Sequence, residues 1–371
     1  MQFIDLHAQQ ERIRPEIEAG IADVLQSGRY IMGPQVREFE SALAKFGQAQ
    51  IALGCANGTD ALILPMISWR IPRGSVVFCP SFTYCATAEI IAIMGAIPIF
   101  VDIDRETYNM CPDSLRQAVE GAKADGLMLF GVIAVDLFGQ SANYEAIAPI
   151  AREHGLKLIA DSAQGFGTTL NGRHPLHWCD VATTSFFPAK PLGCYGDGGA
   201  VLTDDAELGA VMDSVRIHGK GADKYDNVRV GLNSRLDTLQ AAILLPKLAV
   251  FADEIEKRNA VASRYIDGLR GAATRVPTVM DGVVSTWAQF TIEVPDPTAF
   301  GAALKEAGIP TARYYPKPVH MQTAYERFPT GAGGVGNTED CIDHIISLPM
   351  HPYLSEDDQD RVIETAKAAL A

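Results

Sequence analysis

Short apolar runs alternate with segments of helical hydrophobic periodicity through the first half of the chain. Residues 13–27 carry apolar side chains at helical spacing and end at Ser27-Gly28, which predicts a helix with a glycine cap. A second helix is predicted at residues 35–46, after the turn Met32-Gly33-Pro34. Predicted strands then lie at residues 51–53, 75–79, 97–101, 127–135, 156–160 and 200–203, with helices at 61–66, 87–94 and 144–153. This alternation is typical of parallel βαβ units with helices on both faces of the sheet.

The pattern becomes more helical after residue 205. We predict helices at residues 206–218 and from residue 234 to 252 or beyond, joined by a polar, glycine-bearing loop at 219–226 that we expect to be mobile. The elements predicted after this long helix are strands at 286–294 and 311–315 and helices at 298–307 and 356–370. The sequence therefore predicts a large α/β domain, residues 1–250, and a small C-terminal α+β domain, residues 251–371.

Composition narrows the classes of protein that are possible. The chain has 371 residues, 47% of them hydrophobic, which is enough for a large core. Its 31 basic and 45 acidic residues give a net charge of -14, so we expect no nucleic-acid partner. Seven cysteines without a C-x-x-C pair indicate a reducing compartment. With no membrane-length apolar run and no signal region at residues 1–10, we expect a cytoplasmic protein without membrane contact.

Lys190 lies between an apolar run and a glycine-dense turn. Phe186, Phe187 and Pro188 precede it, and four glycines follow before the strand at 200–203. Most lysines are solvated surface charges, but this setting indicates a partly desolvated amine. Such an amine has a lowered pKa and suits Schiff-base formation with a carbonyl. A strand after the glycines, instead of a helix, argues against a dinucleotide-binding or P-loop motif.

Polar side chains also follow the predicted strands, where ligands bind in parallel sheets. A buried carboxylate at Asp161 needs a cationic or N–H partner, which is either a structural arginine or the ring nitrogen of pyridoxal phosphate. Gln164, three residues on, would reach the same ligand if the backbone turns into a helix at Ser162. Tyr84 is placed to stack on the ring, although aromatic side chains after strands more often belong to the core.

Phosphate donors are expected from backbone N–H groups and from a hydroxyl. Gly58 and Thr59 stand where a helix N-terminus would offer free N–H groups, although an ordinary helix cap has the same residues. Ser185 would add a hydroxyl. The sequence contains neither H-E-x-x-H nor a Cys/His cluster, so we predict no metal.

Five segments together resemble the DegT/DnrJ/EryC1/StrS family, and the similarity runs from residues 3–6 to residues 347–354, essentially the whole chain. They are Asn57-Gly58-Thr59-Asp60-Ala61-Leu62, Pro80-Ser81-Phe82-Thr83-Tyr84, Asp161-Ser162-Ala163-Gln164, Ser185-Phe186-Phe187-Pro188-Ala189-Lys190 and Gly231-Leu232-Asn233-Ser234-Arg235-Leu236-Asp237-Thr238-Leu239-Gln240-Ala241-Ala242. The resemblance implies a fold-type I, pyridoxal-phosphate-dependent aminotransferase that acts on nucleotide-linked keto sugars with L-glutamate as amino donor.

The same resemblance implies roles for individual residues. The cofactor-binding residues that it implies are Gly58, Thr59, Tyr84, Asp161, Gln164, Ser185, Lys190 and Asn233. Lys190 is expected to bind the cofactor covalently and to move protons, Asp161 to pair with the ring nitrogen, and Gln164 to lie near the ring hydroxyl. Asn233 would reach the cofactor phosphate of the neighbouring subunit, which implies a homodimer with shared active sites.

Within the family, residues 187–197 and 229–237 most resemble members that aminate C3 of UDP-2-acetamido-2-deoxy-3-oxo-glucuronate in surface-polysaccharide synthesis. Arg235 is then expected to bind the uronate carboxylate, with Arg229 as a second candidate that is otherwise a surface charge. Tyr314 and Tyr315 match the C-terminal substrate loop, although core packing explains one of them equally well.

Alternatives to this substrate and activity stay open. They are amination of a 3-keto or 4-keto deoxysugar linked to dTDP or UDP, a pyridoxal-phosphate sugar dehydratase, and a non-catalytic regulator of the same fold. Relatives that are dehydratases have histidine in place of the lysine, so the retained Lys190 favours transamination. One departure from the family pattern is Asp136-Leu137-Phe138-Gly139, where many members have His-Leu-Tyr-Gly.

Overall fold

A seven-stranded sheet with helices on both faces forms the larger part of the molecule. The computed structural model describes residues 1–223 and 225–371. Its helices are α1 (Leu6–Arg12), α2 (Arg14–Ser27), α3 (Pro34–Phe46), α4 (Gly58–Ser68), α5 (Ala86–Ile93), α6 (Pro112–Ala124), α7 (Tyr144–Glu153), α8 (Ala206–Val215), α9 (Thr238–Leu269), α10 (Pro297–Glu306), α11 (Gly336–Cys341) and α12 (Glu356–Leu370). Its strands are β1 (Ile51–Cys55), β2 (Val76–Pro80), β3 (Ile97–Val101), β4 (Leu129–Val135), β5 (Lys157–Asp161), β6 (Thr169–Leu170), β7 (Val181–Ser185), β8 (Gly199–Thr203), β9 (Val283–Val284), β10 (Phe290–Glu293) and β11 (Ile345–Leu348). Three short 3-10 helices lie at Leu137–Gly139, Pro175–Trp178 and Val319–Met321.

The strand order of the large sheet is β1-β8-β7-β5-β4-β2-β3. Neighbours from β7 to β3 are parallel, and β8 is antiparallel to both β7 and β1. The predicted fold class, a mostly parallel sheet with helices on both faces and a smaller C-terminal α+β part, is confirmed. Because five parallel strands end at the same edge, their following residues meet there.

Two apolar layers cover the sheet. The first includes buried side chains of α3, α6, α7 and α9, among them Phe39 and Phe251. The second includes side chains of α4, α5 and α8, among them Leu62 and Met212. Of the helices in these two layers, the sequence predicted all except α6. It also missed α1 and α11, which lie outside the two layers.

The C-terminal part has its own core, made by the end of α9, α10, α12 and the antiparallel pair β10–β11. Helix α9 runs without interruption through residue 250, and the second core begins with Val261. Residues from the C-terminal part, including Val319 and Tyr325, also pack in the layer with α4 and α5. The division into residues 1–250 and 251–371 stays a prediction.

Several predicted elements differ from the structure. The predicted strand at 311–315 is wrong: only Ala312 forms an isolated bridge, to Ser347, and Tyr315 has a positive φ of 55°. The long helix begins at Thr238 and not at residue 234, because the preceding segment pairs with other parts of the chain. In the predicted loop at 219–226, Gly221 N donates to Asp226 O, and Lys224 lies outside the described residues. Its mobility stays a prediction.

Candidate active site

A cavity of about 510 Å³ lies at the carboxyl ends of β2, β4, β5 and β7. Nine of the predicted site residues line it: Gly58, Thr59, Tyr84, Asp161, Gln164, Ser185, Lys190, Tyr314 and Tyr315. They come from segments far apart in sequence, which the parallel sheet brings to one edge. A cavity of this size can hold a small organic ligand.

Lys190 lies on the turn that follows β7. Its backbone N donates to Phe187 O at 2.8 Å, which closes the turn. Burial lowers the pKa of the Lys190 amine, and the charge of Asp161 acts in the opposite direction. A lysine with a lowered pKa is a nucleophile and a proton acceptor, as the sequence predicted.

The glycines after Lys190 form a close turn. A Cβ at Gly193 would lie 2.4 Å from Pro188 O, so this position requires glycine. Two side chains of α9 hold the turn: Lys247 Nζ donates to Gly193 O at 2.7 Å, and Gln240 Oε1 accepts from Tyr195 N at 2.9 Å. The lysine that the cavity presents is therefore fixed to the long helix.

Asp161 ends β5 and is buried. Its carboxylate accepts hydrogen bonds from Thr87 Oγ1 at 3.0 Å and from Ala163 N at 3.2 Å. Burial raises the pKa of Asp161, whereas these two donors and Lys190 act to lower it. The carboxylate retains acceptor capacity toward the cavity, and a cationic ligand group there would stabilise its charged form.

The N-terminus of α4 forms one end of the cavity. Asn57 caps this helix, and its side chain accepts from Asp60 N at 2.8 Å. Among the hydrogen bonds of the described residues, none uses the backbone N–H of Gly58 or Thr59. A Cβ at Gly58 would lie 2.7 Å from Ser185 Cβ, so glycine allows this close approach. Free N–H groups at a helix N-terminus beside a hydroxyl suit an anion.

Gln164 is buried and makes two side-chain hydrogen bonds. Its Oε1 accepts from Phe138 N at 2.7 Å, and its Nε2 donates to Tyr315 Oη at 2.6 Å. Burial raises the pKa of the Tyr315 hydroxyl. Gln164 thus joins the end of β4 to the C-terminal segment, a contact that the sequence did not predict.

Aromatic side chains also line the cavity, among them Tyr84 and Tyr314. The Tyr84 ring is exposed and available for stacking. Burial raises the pKa of Tyr314, and a hydrogen bond with Gln289 acts to lower it. Gln289 lines the cavity, and its buried Oε1 has no partner among the described residues.

Three predicted residues do not line this cavity: Arg229, Asn233 and Arg235. Asn233 is exposed and the two arginines are partly buried. Ser234, between the last two, is buried, and its Oγ accepts from Ala56 N at 3.3 Å. Asn233 and Arg235 therefore lie beside the strand end that leads to α4.

Sequence reasoning missed cavity residues that lack a chemical signature of their own. The clearest is Thr87, which holds Asp161, and others are Asn57, Asp197 and Gln289. Asp136, noted as a departure from a family pattern, does not line the cavity but accepts from Ser162 Oγ beneath it. A cap signature before α4 would have identified Asn57.

Two further observations concern metals and membranes. Within residues 1–223 and 225–371, no three His, Cys, Asp or Glu side chains are grouped so that they could hold a metal ion. None of the helices described is both long and apolar enough to cross a membrane.

Comparison with known proteins shows extensive similarity. The model of the DegT/DnrJ/EryC1/StrS aminotransferase family matches residues 11–367. The UDP-2-acetamido-2-deoxy-3-oxo-D-glucuronate aminotransferase of Pseudomonas aeruginosa is 44% identical over 95% of this chain and 96% of that protein. The crystal structure of a DegT DnrJ EryC1 StrS aminotransferase from Brucella abortus has a TM-score of 0.98 and 47% identity, covering 100% of both chains. NtdA from Bacillus subtilis, with bound cofactor PMP, has a TM-score of 0.87 and 27% identity, covering 99% of this chain and 83% of its own.

Proposed function

Because this chain belongs to the DegT/DnrJ/EryC1/StrS aminotransferase family, we propose that it is a pyridoxal-phosphate-dependent aminotransferase that moves the amino group of L-glutamate to a keto carbon of a nucleotide-linked sugar. The observation that carries the proposal is the single cavity shared by Lys190, Asp161 and Ser185. An amine, a buried carboxylate and a phosphate-type donor set are the three groups that this cofactor requires.

The residues of the cavity fit pyridoxal phosphate. Gly58, Thr59 and Ser185 offer N–H and O–H donors at a helix N-terminus, and a Cβ at Gly58 would fill the space beside Ser185. Asp161 is a buried carboxylate that lacks an arginine partner among the described residues, so a protonated ring nitrogen matches it. Lys190 is the amine for covalent attachment.

When bound, pyridoxal phosphate serves as an electron sink for the substrate carbon and carries the amino group from donor to acceptor. Lys190 provides the acid–base group: its lowered pKa makes the free amine available at Nζ to take a proton and later to return it. Asp161 would pair with the protonated ring nitrogen, and Thr87 Oγ1 and Ala163 N hold the Asp161 carboxylate in place. Tyr84, which lines the cavity, would stack on the cofactor ring.

We assign the acceptor as C3 of UDP-2-acetamido-2-deoxy-3-oxo-glucuronate, which the name of the 44% identical relative supports. Arg235 is the proposed partner of the uronate carboxylate and Arg229 the second candidate, since guanidinium groups bind carboxylates bidentately. Tyr314 and Tyr315 line the cavity and would contact the sugar. A 3-keto or 4-keto deoxysugar linked to dTDP or UDP is the alternative acceptor.

The proposed functional unit is a cytoplasmic homodimer with shared active sites. Asn233 is exposed and does not line the cavity of its own chain, so its amide is available to the cofactor phosphate of a second copy. Val228 and Val230, in the same segment, are also exposed, as expected for a surface that a partner covers. The product would enter surface-polysaccharide synthesis, for example of O-antigen.

The test is to load the protein with pyridoxamine phosphate and mix it with a panel of UDP- and dTDP-linked keto sugars. Return of the absorbance of the pyridoxal form with the 3-oxo uronate is expected. Return only with a 4-keto sugar would show that the assigned substrate is wrong. A dehydratase would form product without L-glutamate, and a regulator would bind no cofactor. Lys190→Ala should abolish turnover and borohydride trapping, whereas the exposed-lysine control Lys305→Ala should retain both.

A further inference from the structure

Asp136, directly after β4, is a buried carboxylate that accepts three hydrogen bonds. Its Oδ1 accepts from Ala142 N and from Tyr144 Oη, both at 2.9 Å. Its Oδ2 accepts from Ser162 Oγ at 2.5 Å. The side chain is fully buried and does not line the cavity. The Asp136 carboxylate therefore joins three segments, the loop after β4, helix α7 and the turn after β5, each of which donates one hydrogen bond to it.

The turn that Asp136 contacts bears two residues of the cavity. Ser162 directly follows Asp161 and is two residues before Gln164. The backbone N of Asp136 also donates to Asp161 O at 3.0 Å, so the contact is made by main chain and side chain together. A Cβ at Gly165 would lie 2.3 Å from Asp136 Cβ, which shows how closely the turn packs on the aspartate.

The segment after Asp136 holds the other end of the same turn. Phe138 N donates to the Gln164 side chain at 2.7 Å. Phe138 has a φ of 58°, a conformation that non-glycine residues adopt only when the surroundings fix it. Ala142 N, donating to Asp136, closes this segment back onto the aspartate. The loop after β4 and the turn after β5 are thus tied together at two points.

We propose that Asp136 is the positioning residue of the cofactor site: through Ser162 it fixes the turn 161–164, so that the carboxylate of Asp161 and the amide of Gln164 face the cavity. This inference rests on the proposed cofactor and assigns Asp136 no contact with it. An ionised carboxylate suits the position because it only accepts, and three donors converge on it. An asparagine keeps the shape but has one acceptor oxygen and would direct an N–H₂ group toward a donor.

The charge state of Asp136 depends on the groups that face it. They are Asp161 at the end of β5, Tyr144 on α7 and Cys179 after the second 3-10 helix. Burial raises the pKa of Asp136 to about 7, and the charge of Asp161 acts in the same direction, whereas the three donors act to lower it. Ionisation of Asp136 therefore falls in the range of neutral pH, where the bound cofactor can report it.

The experiment compares Asp136→Asn, Ser162→Ala and the control Tyr144→Phe in the full chain. The control removes a hydrogen bond to the same carboxylate on the side away from the turn. The measurements are pyridoxal phosphate affinity by absorbance titration, the pH profile of the bound cofactor's absorbance, and the urea midpoint. We expect Asp136→Asn and Ser162→Ala to bind the cofactor about tenfold more weakly with an altered pH profile, and Tyr144→Phe to lower only the urea midpoint.

Two outcomes would overturn the inference. One is unchanged affinity and pH profile in both Asp136→Asn and Ser162→Ala. The other is an equal loss of affinity in Tyr144→Phe, which would indicate general destabilisation. If Asp136→Asn fails to fold, Ser162→Ala decides, since it removes only a hydroxyl from the turn. Failure of the unmodified protein to bind pyridoxal phosphate would instead contradict the proposed function.

Discussion

Lys247 Nζ donates a 2.7 Å hydrogen bond to Gly193 O, three residues after the lysine that the cavity presents. Lys247 is almost completely buried, and its amine also lies 4.3 Å from the centre of the Tyr195 ring. Burial lowers the pKa of Lys247 to about 8. Through its hydrogen bond to Gly193 O, the buried Lys247 ties helix α9 to the turn that bears Lys190.

Lys247→Met should loosen this turn. The substitution keeps an unbranched apolar chain but leaves Gly193 O without its donor, which costs about 1–3 kcal/mol. We expect a lower urea midpoint and slower borohydride trapping of pyridoxal phosphate on Lys190. Lys257→Met, which removes an exposed pair with Asp253, is the control and should change stability by less than about 0.5 kcal/mol. Equal trapping rates in the two variants would contradict a role for Lys247 in the turn.

Thr87→Val should weaken the charged form of Asp161. The valine keeps the β-branched shape and removes the 3.0 Å hydrogen bond to the carboxylate. Because that bond lowers the pKa of Asp161, its loss raises the pKa further and reduces affinity for a cationic ring nitrogen. We expect several-fold weaker pyridoxal phosphate binding that worsens toward acidic pH, measured by absorbance titration. Affinity equal to that of the parent at every pH would show that this hydrogen bond is dispensable.

Gly58→Ala should damage the proposed phosphate-binding end of the cavity. The new methyl group would lie 2.7 Å from Ser185 Cβ, so the start of α4 or the end of β7 must shift, at a cost of about 1–3 kcal/mol. The expected result is weaker binding of both pyridoxal phosphate and inorganic phosphate. Gly336→Ala is a matched control, since Gly336 also begins a helix and a Cβ there would meet nothing within 4 Å. Calorimetric titration of each variant with phosphate checks the difference.

Asp136→Asn should change how stability depends on pH. With a pKa of about 7, folded Asp136 keeps a proton that the unfolded chain releases near pH 4. The protonated Asp136 carboxyl therefore stabilises the folded state fully below about pH 4. This contribution to the free energy of unfolding is lost as pH rises to about 7, by about 1.4 kcal/mol for each unit of difference between the folded and unfolded pKa. The asparagine variant lacks this loss, so it should gain stability relative to the parent from pH 5 to pH 8. Parallel urea-unfolding curves across that range would contradict the raised pKa.

The sequence by itself determined the order of most elements and the chemical groups of the site. Apolar runs and helical spacing predicted the strands of the large sheet except β7, and the helices that cover it except α6, because burial on one or two faces imposes those periods. Asp161 was identified because parallel strands place their carboxyl ends at one edge, and Lys190 because an apolar run and a glycine-dense turn flank it. The resemblance to a family implied pyridoxal phosphate as the cofactor. Gly58, Thr59 and Ser185, the phosphate donors that this cofactor would need, line the cavity.

Only the tertiary structure decided which residues support those groups. Thr87 donates a hydrogen bond to Asp161, 74 residues away in sequence, and Lys247 donates to Gly193, 54 residues away. It also decided that residues 311–315 form no strand and that Arg235 does not line the cavity of its own chain. Periodicity reports the face that a residue buries, whereas a hydrogen bond between distant segments depends on where the packed sheet and helices place both partners. The positions of Asp136 and Lys247 follow from that packing.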